Sequence, residues 1–193
     1  QPDHAARAVA CALALDEYAQ AFRERCHKTG IALGVTRIGV HAGPAIVGNF
    51  GGGRFFDYTA YGDTINVAAR LEAANKQLGT RICASATLAA RVEKFRGRPV
   101  GDLVLRGRME ALRAFEPLRD AQYEDPATKS YLAAFAKLEA GDPSAMAAFA
   151  AHVGRWRPAW ASTKDVGGDC GACRCCPSTA AACDARAEAP RHC

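Results

Sequence analysis

A mixed α/β (α+β) fold is predicted by three features of the chain. They are an apolar stripe at helical spacing over residues 5–28, an unbroken helical stretch after Gly62, and short β-branched or aromatic runs punctuated by glycine. In the first stretch Cys11, Leu15, Tyr18, Phe22 and Cys26 recur at spacings of four, three, four and four, so they are expected to form one buried face, with Gly30 stopping the helix. Residues 31–40 read as a strand running into a turn at Gly43-Pro44. A second strand over residues 45–50 leads to Gly51-Gly52-Gly53, a hairpin tip, and the aromatic residues 54–61 return from it. Asp63 or Thr64 is expected to cap the next helix, which runs through residues 65–77 and ends at Gly79. Residues 80–84 return as a strand, Ser85 caps a short helix reaching about residue 95, and residues 100–105 and 111–115 close the sheet. Past Leu118, Asp125-Pro126 and Asp142-Pro143 each set a capping Asp before a Pro suited to a first helical position, which predicts a helical hairpin with Gly141 closing its first arm. The periodicity vanishes near Arg155. The expected organisation is therefore a main domain over residues 1–118, the hairpin over 119–154, and a poorly ordered Cys-rich tail over 155–193.

Composition narrows the functional classes. With 193 residues, 49% of them hydrophobic and 23% charged, the chain can bury a core. No run approaches the roughly 18 apolar residues of a membrane span, so no membrane contact is expected from this segment. The net charge of +5 comes without clustered Lys or Arg, which argues against a nucleic-acid surface. Of nine cysteines, Cys170, Cys173, Cys175, Cys176, Cys183 and Cys193 crowd the tail, whereas Cys11, Cys26 and Cys83 are scattered and read as small buried residues of a reduced, cytoplasmic domain. The first residue is Gln1, so the chain is expected to be a piece of a longer protein, one that is membrane-anchored elsewhere or not at all.

The chemistry concentrates between Thr36 and Glu72. Asn66 and Arg70 lie four apart on a helix and share a face near its N-terminal end, where free amides and the helix dipole favour anions. A guanidinium fork suits phosphoryl oxygens, and an amide suits a sugar hydroxyl or ring oxygen. The plainer alternative pairs Arg70 with Glu72 or Asp63 and leaves Asn66 solvated. His41 reads as a polar residue closing a strand, since no nucleophile motif accompanies it. The three glycines lack the Gly-Lys-Ser/Thr continuation of a phosphate-binding loop and read as a hinge.

Ile38-Gly-Val-His-Ala-Gly-Pro44, Gly48-Asn49, Asp57-Tyr-Thr59, Gly62-Asp-Thr-Ile-Asn-Val-Ala-Ala-Arg-Leu71 and Leu105-Arg-Gly-Arg108 occur in an order and spacing that resembles the second half of a class III nucleotide cyclase catalytic domain, over about residues 5–118. The resemblance implies a ferredoxin-like cyclase domain lacking its first strands, in a protein that converts ATP to 3′,5′-cyclic AMP and pyrophosphate. It further implies that Asn66 orients the ribose, Arg70 stabilises charge on the α-phosphate, Thr59 contacts the base as in the adenine-selecting bacterial type, and Arg106 meets the terminal phosphates where the family usually has Lys. The family's Mg²⁺ or Mn²⁺ ions are held by two aspartates in segments that have no counterpart here and are expected upstream. Asp57 and Asp63 do not replace them by motif. Because the family works as head-to-tail dimers, in which one subunit brings the metal carboxylates and the other the Asn and Arg, a homodimer is expected. This chain alone is then expected to be inactive.

Two rivals remain at this stage. One is a non-catalytic regulatory module that binds nucleotide or dimerises. The other is an interaction protein built on the two Asp-Pro helices with the tail as a metal clip. Cys170-x-x-Cys173-x-Cys175-Cys176 offers thiolates at zinc spacing, but no second clean pair follows, and the abrupt loss of pattern near Arg155 reads better as a non-native or out-of-frame end.

Overall fold

The computed structural model describes residues 1–104 and 110–153 of the chain. The expected tail, and the segment 105–109 that holds Arg106, lie outside the described residues. Twelve elements occur there in the order α1 (His4–Lys28), β1 (Ile38–Val40), β2 (Ile46–Gly52), β3 (Phe55–Tyr61), α2 (Asp63–Leu78), β4 (Ile82–Ser85), α3 (Ala86–Ala89), β5 (Gly97–Leu103), β6 (Leu112–Pro117), α4 (Asp120–Glu124), α5 (Pro126–Glu139) and α6 (Ala145–Val153). The class is mixed α+β, as the sequence predicts.

Four strands form one sheet in the order β1-β4-β6-β5, with β1 parallel to β4 and the other pairs antiparallel. Strand β4 is buried throughout, and alternate residues on it build two cores. Cys83 packs with Val67 and Leu71 of α2 and with Ala114, while Ala84 packs with Ala5 of α1, Ala42 and Leu88. Burial, with Glu116 adding to it, pushes the Cys83 thiol up to about 12. That thiol is the buried residue the sequence implies. Cys11 is exposed and Cys26 half-buried, contrary to expectation.

The same correction applies to the α1 stripe. Its buried residues are Ala5, Ala12 and Asp16, whereas Leu15 (53% exposed), Tyr18 (63%) and Phe22 (43%) face solvent. Alanines let the helix lie close to the sheet. The larger apolar side chains fall on another face, where the Tyr18 and Phe22 rings stack 6.1 Å apart and the Arg25 guanidinium lies 5.7 Å from each. Asp16 instead receives a two-point ion pair from Arg81, at 2.6 and 3.1 Å, which ties α1 to the segment before β4.

The strand expected over residues 31–40 shrinks to Ile38–Val40. A strand needs a neighbour, and β1 pairs only with β4, from Ile38 onward, so Ile31, Leu33 and Val35 stay exposed. The expected glycine hairpin is present, pairing Gly52 with Phe55 at its tip and Ile46 with Tyr61 at its base. The helix predicted after Ser85 is the short α3, in which Ser85 Oγ accepts the Leu88 amide at 3.2 Å. At the other end, Asp125 caps α5 by accepting the Ala127 amide at 2.7 Å, and Gly141 follows that helix at φ 68°. Helix α6 begins at Ala145, with Asp142 accepting the Ser144 amide, so Pro143 precedes the helix rather than occupying its first position. This hairpin docks on the sheet. Tyr131 donates to Pro99 O at 2.7 Å with Arg98 5.1 Å from its ring, and Arg113 joins Asp102 on the neighbouring strand to Glu139 at the end of α5. Within β5 and β6, Arg98 pairs with Glu116 at 2.6 Å; burial raises the Glu116 carboxyl, while Arg98 pulls it down.

Candidate active site

Helix α2 is fixed along the face it turns to the sheet. Its buried face is Val67, Leu71 and Asn75, one residue per turn. Gly39 of β1 runs so close beneath it that a Cβ there would overlap the Ala68 carbonyl oxygen and the Glu72 amide, so only glycine permits the crossing. Asn75 is buried and donates to Ile38 O at 3.0 Å and to Leu71 O at 3.1 Å, and its Oδ1 accepts the Thr80 hydroxyl at 2.6 Å. Gly79 ends the helix at φ 67°.

Its N-terminal end differs from the sequence expectation. Gly62 occupies the cap position, and no side-chain hydrogen bond caps the helix. The Thr64 hydroxyl donates instead to Pro44 O, at 2.5 Å, joining the helix to the turn after β1. The first turn therefore keeps amides that no side chain of the cap satisfies.

Asn66 and Arg70 each precede a buried residue by one position, which turns them about 100° away from the core. Asn66 is exposed and Arg70 half-buried. Among the described residues neither has a hydrogen bond or an ion pair, so the plainer alternative, Arg70 held by Glu72 or Asp63, does not occur. Thr59 sits on β3 opposite Gly48, half-buried, four residues before α2 opens; no hydrogen bond among the described residues links it to Asn66 or Arg70. Arg106 falls outside the described residues. Asp57 is exposed at mid-hairpin beside Phe50, and Asp63 is exposed at the start of α2. Among the described residues no group of three or more His, Cys, Asp or Glu side chains is placed to hold a metal ion.

One contact escapes sequence reasoning. His41 Nδ1 lies 2.7 Å from Ser85 Oγ, across 44 positions of chain, and nothing local to either residue signals the pairing.

The sheet carries α2 on one face and α1 on the other, and α2 turns an amide and a guanidinium away from the core. Residues 1–115 match the family described as adenylate and guanylate cyclase catalytic domain, and the chain belongs to that family. Among curated relatives, Adenylate cyclase 1 of Rhizobium meliloti (strain 1021) is 41% identical over 114 residues, covering 58% of this chain and 17% of that protein. An adenylate cyclase of Anabaena cylindrica is 31% identical over 107 residues, covering 53% of this chain and 21% of that protein. The chain thus spans less than a quarter of either relative. Among solved structures, the adenylyl cyclase CyaB from P. aeruginosa shares the fold, with TM-score 0.55 and 24% identity over 62% of this chain and 61% of that one. The guanylyl cyclase Cya2 shares it at TM-score 0.53 and 23% identity, over 61% of this chain and 59% of that one. Among the described residues, no helix is long and apolar enough to cross a membrane.

Proposed function

We propose that the protein containing this chain is an adenylate cyclase acting as a homodimer, converting ATP to 3′,5′-cyclic AMP and pyrophosphate. The observation that carries this reading is the pair Asn66 and Arg70 on α2, turned away from the core and without a hydrogen bond or ion pair among the described residues. The adenylate cyclase names of the two curated relatives support the choice of ATP, and the exposed aromatic surface of the β2–β3 hairpin supports a second subunit.

In the reaction a lone pair of the ribose 3′-oxygen forms a bond to the α-phosphorus. The bond from that phosphorus to the bridging oxygen breaks, pyrophosphate leaves with the electron pair, and the hydroxyl proton passes to solvent. Arg70 supplies a permanent positive fork to the α-phosphate oxygens, whose charge must be held in the transition state. Asn66 holds the ribose so that the 3′-hydroxyl is aligned, which is worth a large part of the barrier in a reaction governed by positioning. Thr59 contacts the adenine, and Arg106 meets the terminal phosphates. A divalent ion, Mg²⁺ or Mn²⁺, would supply further charge neutralisation from carboxylates outside this chain. The reading places the domain in the cytoplasm.

The test is turnover of ATP and of GTP by the purified full-length protein with Mg²⁺ or Mn²⁺, beside the 193-residue chain alone. Cyclic AMP from the full-length protein and none from the chain is expected. Cyclic AMP from the isolated chain would overturn the dependence on a partner's carboxylates, and preference for GTP would overturn the role of Thr59.

A further inference from the structure

We propose that His41 is a positioning residue, which fixes the first turn of α2, and with it Asn66 and Arg70, through its hydrogen bond to Ser85. The inference rests on the reading of α2 as the nucleotide face.

Val40 and Ala84 are the last ladder pair of β1 and β4, so His41 and Ser85 stand one step beyond the ladder and close it with side chains. Ser85 is fully buried, and its Oγ also accepts the Leu88 amide, so the hydroxyl is held in one place. A half-buried imidazole meeting a fixed oxygen at 2.7 Å is itself fixed, and losing the bond would remove one of the two hydrogen bonds of the buried Ser85 hydroxyl.

From His41 the chain passes through buried Ala42 to Gly43 and Pro44. A Cβ on Gly43 would lie 2.6 Å from Thr64 Oγ1 and 3.6 Å from His41 Nε2, so the imidazole and the threonine hydroxyl flank the same glycine. Thr64 in turn donates to Pro44 O at 2.5 Å, two residues before Asn66 and six before Arg70. Two hydrogen bonds, Ser85 to His41 and Thr64 to Pro44, joined by the short stretch of chain from 41 to 44, thus connect the sheet to the start of α2. Asn75 fixes the far end of the helix against β1. With His41 released, that end stays anchored while the first turn loses its backing.

The experiment uses the full-length protein with His41→Ala, His41→Asn and His41→Gln, singly and with Arg70→Ala. His41→Ala is expected to lower kcat about tenfold with KM for ATP little changed, a misplacement of transition-state groups rather than a loss of ground-state binding. His41→Asn, whose amide sits where Nδ1 does, should recover most of the loss, and His41→Gln should not. In the Arg70→Ala background the His41→Ala loss should shrink to less than about twofold, because both act through one group. Amide hydrogen exchange should rise over residues 64–67 and stay unchanged over residues 76–78. Wild-type kcat in His41→Ala, full additivity with Arg70→Ala, or exchange rising evenly along α2 would each overturn the inference. If the wild-type protein turns over no nucleotide, the reading of α2 fails, and the exchange profile alone decides whether His41 holds the first turn.

Discussion

Strand β4 and the β2–β3 hairpin are both rich in apolar residues, but they dispose of them differently. Ile82, Cys83 and Ala84 are covered on one face by α2 and on the other by α1 and α3, so the burial is completed within the chain. On the hairpin Ile46, Val47, Phe55, Phe56, Tyr58 and Tyr61 are each more than half exposed, although every residue of the two strands is paired. Tyr61 meets the ring of Phe50, 4.4 Å away between ring centres. Backbone pairing satisfies the strands of the hairpin without giving it a core. The sheet is stabilised by what this chain contains, and the hairpin presents apolar surface of the kind a second subunit covers.

The contrast can be broken or sharpened by substitution. The largest stability effect is expected at the Asp16–Arg81 pair. Arg81→Met leaves a buried carboxylate unpaired and should cost about 3–5 kcal/mol, read as a lower denaturant midpoint. Leu71→Ala should cost about 2–5 kcal/mol by opening a cavity beneath β4. Phe55→Ser, at the open tip of the hairpin, should change stability of the chain by less than about 0.5 kcal/mol while weakening self-association of the full-length protein in sedimentation; a loss of stability as large as that of Leu71→Ala would erase the distinction. The smallest effect is expected at Asp142. The Ser144 backbone and side-chain hydrogen bonds lower its carboxyl below the usual 3.8, so its contribution is present at neutral pH and is lost as pH falls through that depressed value. Asp142→Asn should therefore flatten the acid limb of the stability curve only below about pH 4, checked by thermal melts across pH.

Much of this was legible in the chain because the signals were local. Gly62 to Leu71 marked α2, the three glycines marked the hairpin, and Asp125-Pro126 marked α5. The errors lie where two apolar faces compete or where a partner sits far away in sequence. Periodicity located a stripe on α1 but not which face met the sheet, and small alanines took the place that Leu15 and Phe22 were expected to fill. The strand expected from Ile31 lacked a neighbour, a condition no single segment encodes. Asp63 or Thr64 was expected to cap α2, yet Gly62 holds the cap position and the Thr64 hydroxyl went to Pro44, 20 residues earlier. The ion pairs Asp16–Arg81 and Arg98–Glu116 and the contact of His41 with Ser85 are likewise consequences of topology.

The most direct measurement is ATP turnover by the full-length protein carrying Asn66→Ala or Arg70→Ala, with folding followed by thermal melt. Both side chains lie outside the core and without partners among the described residues, so the melts should match wild type while kcat falls by about a hundredfold or more. Unchanged turnover from a folded variant would contradict the assignment of α2 as the face that meets the nucleotide.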